Sequence, residues 1–329
     1  MDLLANISLD ERLAAMADPS RLTILRLLMA RPGRLVDLGE AMGKHRAWVR
    51  HHLMKLVDVG LVELIEVRKV VNVTEKWYRA TAAAYAAHVL VVPDTGDARP
   101  VVILGSDDLA LRALASEPKE AGLVPVSVGS LDGLVALRQG LADMAGCHLL
   151  DVDGTYNGPY VRHLFPDRSV VMITLAHREQ GLVTASGNPL GLRGVEDLIR
   201  PGVRIVARNA GSGTRVWLDQ RLRALGVDPE AVMSSATTTA STHAAAVEAI
   251  AAGRADAAIA IRAAAEQAGL EFTPLFHERY DLVVAADRLD DPGIARIAER
   301  LQERGFRRKV GALAGYDPTH TGDEERITA

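Results

Sequence analysis

Apolar residues in the first part of the chain recur at the three- and four-residue spacing of an α-helix. Residues 22–28 place four leucines and an isoleucine on one face, and Asp18-Pro19 precedes them. Asp18 can cap a helix and Pro19 suits its first turn, so a helix begins here. Pro32-Gly33 predicts its end.

The next forty residues predict a helix-turn-helix with a β-hairpin. A short helix over 35–42 is followed by Gly43, and every formal charge from Lys44 to Lys55 is positive while apolar residues keep a helical spacing. Two β-favouring runs, 61–67 and 77–81, then predict a wing. We expect this winged helix to contact DNA through Lys44, His45, Arg46, Trp48, Arg50, His51, Lys55, Arg68 and Lys69.

Three short motifs resemble the arsenic-repressor (ArsR-type) winged-helix family over roughly the first ninety residues. They are Ala17-Asp18-Pro19-Ser20-Arg21-Leu22, Leu53-x-x-Leu56-x-x-x-Gly60-Leu61-Val62 and Tyr78-Arg79-Ala80-Thr81. Many members of this family sense metals through cysteines on the helix before the recognition helix, but 35–42 contains none. We therefore expect no metal site, and a winged helix used only for protein contact stays open as an alternative.

Beyond residue 100 the pattern alternates between short buried strands and helices, which predicts two α/β lobes. Strands are predicted at 101–104, 123–128, 143–148, 203–207, 255–261 and 280–286, and helices at 109–115, 131–139, 213–225, 243–252 and 294–304. Segments near 172–185 and 272–281 are expected to connect the lobes.

These elements divide the chain into domains. We expect a winged-helix domain over 1–92 that ends in an Ala-rich packing helix from Ala82 to Val92, a linker over 93–100, and a two-lobed ligand-binding domain over 101–329. The first lobe is predicted to contain about 101–175 and 280–310, and the second about 185–275.

The composition indicates where the positive charge lies along the chain and which cellular compartment to expect. The 329-residue chain has a formal charge of −4, but residues 1–90 contain 13 Lys and Arg against 10 Asp and Glu. The positive charge that DNA binding requires is therefore confined to the N-terminal part of the chain. The single cysteine excludes an internal disulfide, the N-terminus does not read as a signal peptide, and we find no uncharged apolar stretch of about twenty residues. We expect a cytoplasmic protein with no membrane partner.

Three strand-to-helix junctions carry residues suited to binding a small anion: Gly105-Ser106, Gly129-Ser130 and Gly211-Ser212-Gly213-Thr214. At such junctions free backbone N–H groups and the positive end of a helix face the same point. Arg208 and Arg215 flank the third junction. A glycine at a strand end is often only a turn, and this alternative stays open.

A second resemblance covers about residues 101–286. Its motifs are Gly129-Ser130-Leu131-x-Gly133-Leu134, Ala145-Gly146-Cys147-His148-Leu149-Leu150-Asp151, Tyr156-Asn157-x-Pro159-Tyr160, Arg178-x-Gln180-Gly181-Leu182, Gly187-Asn188-Pro189, Arg208-Asn209-x-Gly211-Ser212-Gly213-Thr214-Arg215, Thr242-His243-x-x-x-Ala246 and Glu278-Arg279-Tyr280-Asp281-Leu282. They look like the periplasmic-binding-protein-like domain fused to helix-turn-helix modules in bacterial regulators. That domain is similar to molybdate- and tungstate-binding proteins.

The resemblance implies a type II periplasmic-binding-protein-like fold with no cofactor and a small anionic effector, with molybdate and tungstate among the candidates. It implies that the cleft is lined by Ser106, Ser130, Arg178, Arg208, Ser212, Gly213, Thr214, Thr242, His243 and Tyr280. The family often has a histidine where this chain has Asp107, and an acidic residue where it has Thr238 or Thr239. A carboxylate near the first junction repels a dianion, so an organic ligand, or one with its own hydrogen-bond donor, stays open.

Together these expectations predict a one-component transcriptional regulator that binds operator DNA as a homodimer or a higher homo-oligomer. No catalytic residue is assigned. Two alternatives remain: a transferase-type enzyme that uses Cys147, and a ligand-independent repressor. Cys147 and His148 are adjacent at the end of a strand and should point to opposite faces, which disfavours their joint use.

Overall fold

The computed structural model describes residues 5–7, 11–70, 73–83, 85–87, 100–116, 122–234 and 236–329. The chain divides into two units, residues 1–91 and residues 92–329. Among the described residues, no helix has the length and apolar character needed to cross a membrane. The predicted linker at 93–100 lies outside the described residues except for Pro100.

The first unit is a winged helix, as predicted. In chain order its elements are β1 (Ala5–Ile7), α1 (Glu11–Met16), α2 (Pro19–Ala30), β2 (Gly33–Arg34), α3 (Leu35–Met42), α4 (Arg46–Asp58), β3 (Val62–Val70), β4 (Val73–Ala80) and β5 (Tyr85–Ala87). Strands β3 and β4 pair antiparallel to form the wing, and β2 pairs with the other edge of β4.

The helix boundaries follow from the capping residues that the sequence offers. The Asp18 carboxylate accepts hydrogen bonds from the backbone N–H groups of Ser20 at 2.9 Å and Arg21 at 3.1 Å, which starts α2. Helix α3 ends at Gly43, whose φ of 61° is left-handed. Buried residues of α2 and α4 form the core of this unit with Leu38 and the base of the wing.

The predicted packing helix from Ala82 to Val92 is wrong where the structure describes it. Residues Tyr85–Ala87 form strand β5, which pairs in parallel with β1. The Tyr85 hydroxyl donates a hydrogen bond to the carbonyl of Leu61 at 2.8 Å. Alanine favours helix by propensity, but backbone pairing with a distant strand overrides that weak preference. Residues 84 and 88–92 lie outside the described residues.

The second unit is a two-lobed α/β domain. Its elements are β6 (Val101–Gly105), α5 (Leu109–Ala115), β7 (Leu123–Ser127), α6 (Ser130–Arg138), β8 (Met144–Cys147), α7 (Gly158–Leu164), β9 (Val170–Thr184), β10 (Ile205–Arg208), α8 (Gly213–Ala224), α9 (Pro229–Ser234), β11 (Thr238–Ala240), α10 (His243–Ala251), β12 (Ala257–Ile261), α11 (Arg262–Gln267), β13 (Glu271–Ala285), α12 (Pro292–Gln302), α13 (Arg304–Gly311), β14 (Tyr316–Asp317) and β15 (Glu324–Ile327).

Two long antiparallel strands join the lobes. Strands β6, β7 and β8 are parallel in the first lobe, and β10, β11 and β12 are parallel in the second. Strands β9 and β13 pair with each other along fourteen registered positions and carry the sheet from one lobe to the other. They are the two connections that the sequence predicts. The carboxyl ends of the parallel strands and the N-termini of the following helices therefore face the cleft between the lobes.

Candidate functional site

The recognition helix α4 exposes the positive residues that the sequence predicts. Lys44, Arg46, Arg50, His51 and Lys55 are exposed. The opposite face of the helix is buried in the core through Val49, Leu53 and Leu56. The helix therefore has the two faces expected of a DNA-reading helix.

His45 and Trp48 have structural contacts in addition to the predicted DNA role. The exposed His45 caps α4, because its Nδ1 atom accepts a hydrogen bond from the backbone N–H of Ala47 at 3.2 Å. Trp48 is half-buried, with its ring centroid 4.2 Å from that of His52 and the Lys44 ammonium 5.6 Å from its centroid. Only part of Trp48 can therefore reach DNA.

Arg68 and Lys69 are exposed on β3 itself rather than in a loop between the wing strands. The Arg68 guanidinium donates to the Glu66 carboxylate at 2.6 Å and lies 5.3 Å from the centroid of the Trp77 ring. A phosphate contact by Arg68 would compete with this ion pair. The exposed Lys69 can contact a phosphate without breaking that ion pair.

The two lobes touch through the N-termini of α6 and α8. The backbone N–H of Leu131 on α6 donates to the carbonyl of Gly211 at 3.2 Å. Gly213, the first residue of α8, lies so close to the first lobe that a Cβ atom there would be 2.1 Å from the carbonyl oxygen of His148. The structure therefore shows a closed arrangement of the lobes.

A chain of five buried side chains crosses the cleft at this contact. The Ser106 hydroxyl is 2.8 Å from Nε2 of His148, and Nδ1 of His148 is 2.7 Å from Glu278. Glu278 accepts from Nε2 of Gln180 at 2.6 Å, and Oε1 of Gln180 accepts from the Thr214 hydroxyl at 3.0 Å. The chain thus connects the first lobe, the crossing strands β9 and β13, and the second lobe.

Two groups in this chain have displaced pKa values. Burial opposes ionisation of Glu278, but the charge of Arg178 and the hydrogen bonds from His148 and Gln180 together outweigh it and lower the pKa of Glu278 to about 2. Burial lowers the pKa of His148, although Glu278 works in the other direction. At neutral pH this row of hydrogen-bonded side chains therefore contains an ionised Glu278 and a neutral His148.

Arg178 lies on β9 and is 1% exposed. It forms buried ion pairs with Asp108 and, through Nε at 2.5 Å, with Glu278. Its guanidinium carbon is 4.9 Å from the Tyr280 ring centroid, and its Nη2 atom is buried with no hydrogen-bond partner among the described residues. Two carboxylates thus already compensate Arg178, while one donor nitrogen remains available.

Arg208, at the end of β10, is 3% exposed and has no carboxylate among its hydrogen-bond partners in the described part of the chain. Its guanidinium donates to the carbonyls of Ala240 and Ser241 and to Nδ1 of His243 at 2.9 Å. Burial and the nearby Arg178 lower the pKa of Arg208 to about 10, so it stays charged at neutral pH. Burial and Arg208 also hold the pKa of His243 well below its usual value.

The remaining predicted cleft residues mostly have internal hydrogen bonds. Ser212 and Thr242 cap their own helices by accepting from the backbone N–H groups of Arg215 and Ala245. The Ser130 hydroxyl accepts from the backbone N–H of His148 at 3.3 Å, and the Tyr280 hydroxyl donates to the carbonyl of Ser106 at 2.5 Å. These contacts hold the helix N-termini at the cleft, and the role of these four side chains in ligand binding stays a prediction.

A cavity of about 200 Å³ opens beside Ser106 at the carboxyl edge of β6 and β7. Its polar wall includes Ser106, Asp107 and Ser127. The Asp107 carboxylate is buried and accepts from Nε of Arg112 at 2.7 Å. Asp107, which departs from the family pattern, is therefore one of the residues of the cavity wall.

Cys147 and His148 point to opposite sides, as expected. Cys147 is buried in a hydrophobic cluster with Leu134, Leu149 and Phe165, whereas His148 belongs to the polar chain. Burial raises the pKa of the Cys147 thiol well above its usual value, so the thiol stays protonated and unreactive.

Four residues at the centre of the site were not selected from the sequence: Asp108, His148, Gln180 and Glu278. His148, Gln180 and Glu278 belong to motifs of the second resemblance, and this was the sequence signal that could have identified them. Their pairing joins positions 130 residues apart, as for His148 and Glu278, so no local pattern could reveal it. No group of three or more His, Cys, Asp or Glu that could hold a metal ion occurs within the described ranges.

Comparison with known proteins places the second unit in a family. Residues 111–302 match the PBP superfamily domain. The chain belongs to the PBP superfamily. In the first unit, residues 18–63 match the family described as bacterial regulatory protein, arsR family. An arsR-type DNA-binding domain therefore precedes a PBP-like ligand-binding domain, which is the architecture of a transcriptional regulator.

Two relatives and one solved structure illustrate the similarity. The chain is 33% identical to the Bacillus subtilis (strain 168) protein YvgK over 230 residues, 69% of this chain and 74% of YvgK. It is 31% identical over 108 residues to a Clostridium pasteurianum protein encoded in the 5′ region of a 2Fe-2S ferredoxin gene, covering 32% of this chain and 95% of that protein. A Clostridium perfringens ABC-transporter substrate-binding protein with bound phosphate aligns with a TM-score of 0.50 and 13% identity, over 67% of this chain and 99% of that one. The last similarity concerns the fold alone.

Proposed function

We propose that this protein is a one-component transcriptional regulator. Helix α4 and the wing bind operator DNA, and a small oxyanion or carboxylate binds between the lobes of the second unit as the effector. Phosphate, molybdate and tungstate are all candidates at this level. Two half-sites in the operator would require a homodimer or a higher homo-oligomer.

The observation that carries the anionic effector is the state of the two buried arginines. Arg208 is charged, buried and without a carboxylate partner among the described residues, and Arg178 keeps one buried Nη2 donor without a partner. A buried cation is costly unless an anion compensates it. Helices α8 and α10 both follow Arg208 in the sequence, and their first-turn N–H groups have no intrahelical acceptor; Ser212 and Thr242 cap one of these groups in each helix.

Closure of the lobes is the change by which an effector would act. Residues from both lobes and from β9 and β13 must converge on one small solute, so its binding favours the closed arrangement. An effector shifts the equilibrium only by its difference in affinity between the open and closed forms. The operator affinity then depends on the effector only if the closed form presents α4 differently.

The two alternatives have less support. Cys147 is buried in a hydrophobic cluster, and burial together with the negative charge of Asp281 raises the pKa of its thiol, so the thiol is a poor nucleophile. A ligand-independent repressor would leave the buried Arg208 charge without a role. It remains the outcome expected if no anion binds.

The experiment is calorimetry on the full chain with phosphate, sulfate, molybdate, tungstate and small carboxylates. We expect Arg208→Ala to weaken binding of whichever anion the wild type binds by roughly tenfold to over a hundredfold, because a contact to a charged ligand contributes about 1.5 to 3 kcal/mol. Arg215→Ala is the matched control, since Arg215 flanks the same junction but already pairs with Asp219 and Glu230. Equal losses in both variants, or no loss in Arg208→Ala, would overturn the proposal.

A further inference from the structure

Helices α12 and α13 concentrate positive charge in a part of the chain that is acidic as a whole. Residues 296–309 contain six Lys and Arg against two Asp and Glu, whereas residues 91–329 together contain 25 against 32. We call the surface formed by these six cations the α12–α13 face. Its cations are Arg296, Arg300, Arg304, Arg307, Arg308 and Lys309.

The two helices bury their apolar side chains and expose their charged ones. Leu301 of α12 and Phe306 of α13 are buried in the core of the second unit, while Arg304 and Arg308, one turn apart on α13, are exposed. No large apolar side chain between Pro292 and Gly311 is exposed, and the structure describes every residue of that range. The α12–α13 face is therefore positive and has no apolar centre.

The arginines of this face lack carboxylate partners within the described part of the chain. Many arginines elsewhere on the surface of the second unit are paired, as Arg204 is with a carboxylate at 2.7 Å. Arg296, Arg304 and Arg308 form no ion pair with any described residue. The Nε atom of Arg307 is buried, and no described group accepts its hydrogen bond. These positive charges are available to an anion outside the protein.

The composition of the face matches duplex DNA better than another protein. Protein–protein interfaces have an apolar core, whereas protein–DNA interfaces are more polar and much more positively charged. Duplex DNA carries one negative charge per about 1.7 Å of its axis, and the planar guanidinium group suits the geometry of phosphate. The winged helix of the same chain already gives the protein a DNA partner.

We propose that the α12–α13 face binds the phosphate backbone of the DNA outside the base pairs that helix α4 reads. Such a contact strengthens binding and lengthens the bound duplex, but it carries no sequence information. The second unit then contributes to DNA affinity directly, in addition to binding an effector. This inference rests on the proposed function, because it presumes that the winged helix binds an operator.

The test compares two duplexes as ligands of the full chain. The core duplex is the operator selected from a random pool, trimmed to the base pairs whose substitution weakens binding. The extended duplex adds about one helical turn of arbitrary sequence on each side. We expect the wild type to bind the extended duplex at least roughly tenfold more tightly at low salt, and equally well with two unrelated flanking sequences.

Replacing three exposed arginines of the face should remove this advantage. The variant is Arg296→Gln with Arg304→Gln and Arg308→Gln, and glutamine has a helix propensity close to that of arginine. We expect the affinity for the core duplex and the unfolding temperature to stay near those of the wild type. On the extended duplex, the slope of log affinity against log salt concentration should decrease in magnitude by about 2 to 3, one phosphate contact for each arginine.

A second triple variant controls for the loss of total charge. It replaces exposed arginines that lie outside α12 and α13 and that also form no ion pair with a described residue. It should keep the advantage of the extended duplex and the salt dependence of the wild type. The control substitutions are Arg168→Gln, Arg193→Gln and Arg223→Gln.

The outcomes separate this inference from the proposed function. A wild type that binds the core and extended duplexes equally overturns the inference and leaves operator binding by the winged helix in place. Retention of the advantage in the folded α12–α13 variant overturns it too, as do equal losses in both triple variants. Protein that selects no duplex from the random pool overturns DNA binding itself, and the inference falls with it.

Discussion

At the scale of single residues, the site depends on which groups hold their protons. Buried carboxylates and arginines set the tautomers of His148 and His243, and those tautomers decide whether a neighbouring group donates or accepts. Arg208 can only donate, so Nδ1 of His243 must accept. The chemistry of the cleft therefore follows from a few buried charges rather than from the hydroxyl residues that the motifs display.

The neutral state of His243 predicts how stability depends on pH. Its folded pKa lies well below the unfolded value of 6.5 through burial and the charges of Arg208 and Arg178. Above pH 6.5 both states are neutral; below it only the unfolded state takes up the proton. As the pH falls below 6.5, the free energy of unfolding should therefore decrease by up to about 1.4 kcal/mol per pH unit for this one group.

Thermal unfolding between pH 7 and pH 5 checks this expectation. His243→Gln keeps an acceptor for Arg208 but cannot titrate, so its unfolding temperature should fall less than that of the wild type over this interval. His163→Gln, at an exposed position, is the control and should behave like the wild type. A wild type and His243→Gln variant with parallel pH profiles would show that His243 is not held neutral.

The sequence indicated several residues that lie at the contact of the lobes, but it did not indicate their hydrogen-bond partners. Arg178, Arg208, Thr214 and His243 are all buried at the contact of the lobes. Their partners are distant in the sequence: Glu278 is 100 residues from Arg178, and His243 is 35 residues from Arg208. Periodicity and local motifs contain no information on such pairs, so the directions of the hydrogen bonds could come only from the structure.

At the scale of elements, the N-termini of α6 and α8 form the contact that closes the cleft. The Gly-Ser-Gly-Thr junction predicted an anion-binding turn, but Gly213 has a second reason to lack a side chain. A Cβ atom there would lie 2.1 Å from the carbonyl oxygen of His148 on the other lobe. Gly213 therefore permits the approach of the two lobes.

Gly213→Ala should keep the lobes apart. Its backbone is not left-handed, so alanine suits the first turn of α8, and we expect the unfolding temperature to stay near that of the wild type. Effector affinity should fall by roughly tenfold or more, because the added methyl group opposes closure.

Calorimetry with the anion that the wild type binds gives the result. Gly305→Ala is the control, because a Cβ atom at Gly305 meets nothing within 4 Å. Wild-type affinity in Gly213→Ala would mean that the ligand-bound protein does not need this close contact.

Most elements could be predicted from the sequence because their signals are local. Asp18 caps α2, Gly43 ends α3, and the alternation of buried strands and helices gives the two lobes. Short elements such as α7, α9 and α11 were not predicted, and β5 was predicted wrongly. Its Ala-rich sequence favours a helix, and only its pairing with β1, about eighty residues earlier, makes it a strand.

At the scale of the whole molecule, the account joins a DNA-binding unit to a ligand-binding unit. The first unit exposes a helix with positive residues, and the second buries a cluster of arginines between two lobes. The fold and the family of each unit could be predicted because the motifs that indicate them lie within that unit. Coupling between the units is a property of the complete chain, and it has to be measured there.

The most direct measurement is the affinity of the full chain for its operator with and without the effector. The DNA is the duplex that the wild type selects from a random pool, and the effector is the anion that binds by calorimetry. Arg46→Ala combined with Arg50→Ala removes two exposed cations one turn apart on α4 and should abolish specific binding while effector affinity stays within about twofold of wild type.

For the wild type we predict that saturating effector changes the operator Kd by at least about fivefold, the lower range of allosteric coupling. Arg208→Ala should bind the operator as the wild type does without effector and should need at least roughly tenfold more anion for the same change in Kd. An operator Kd that is the same with and without an anion already shown to bind the wild type would contradict the account of this protein as an effector-responsive regulator.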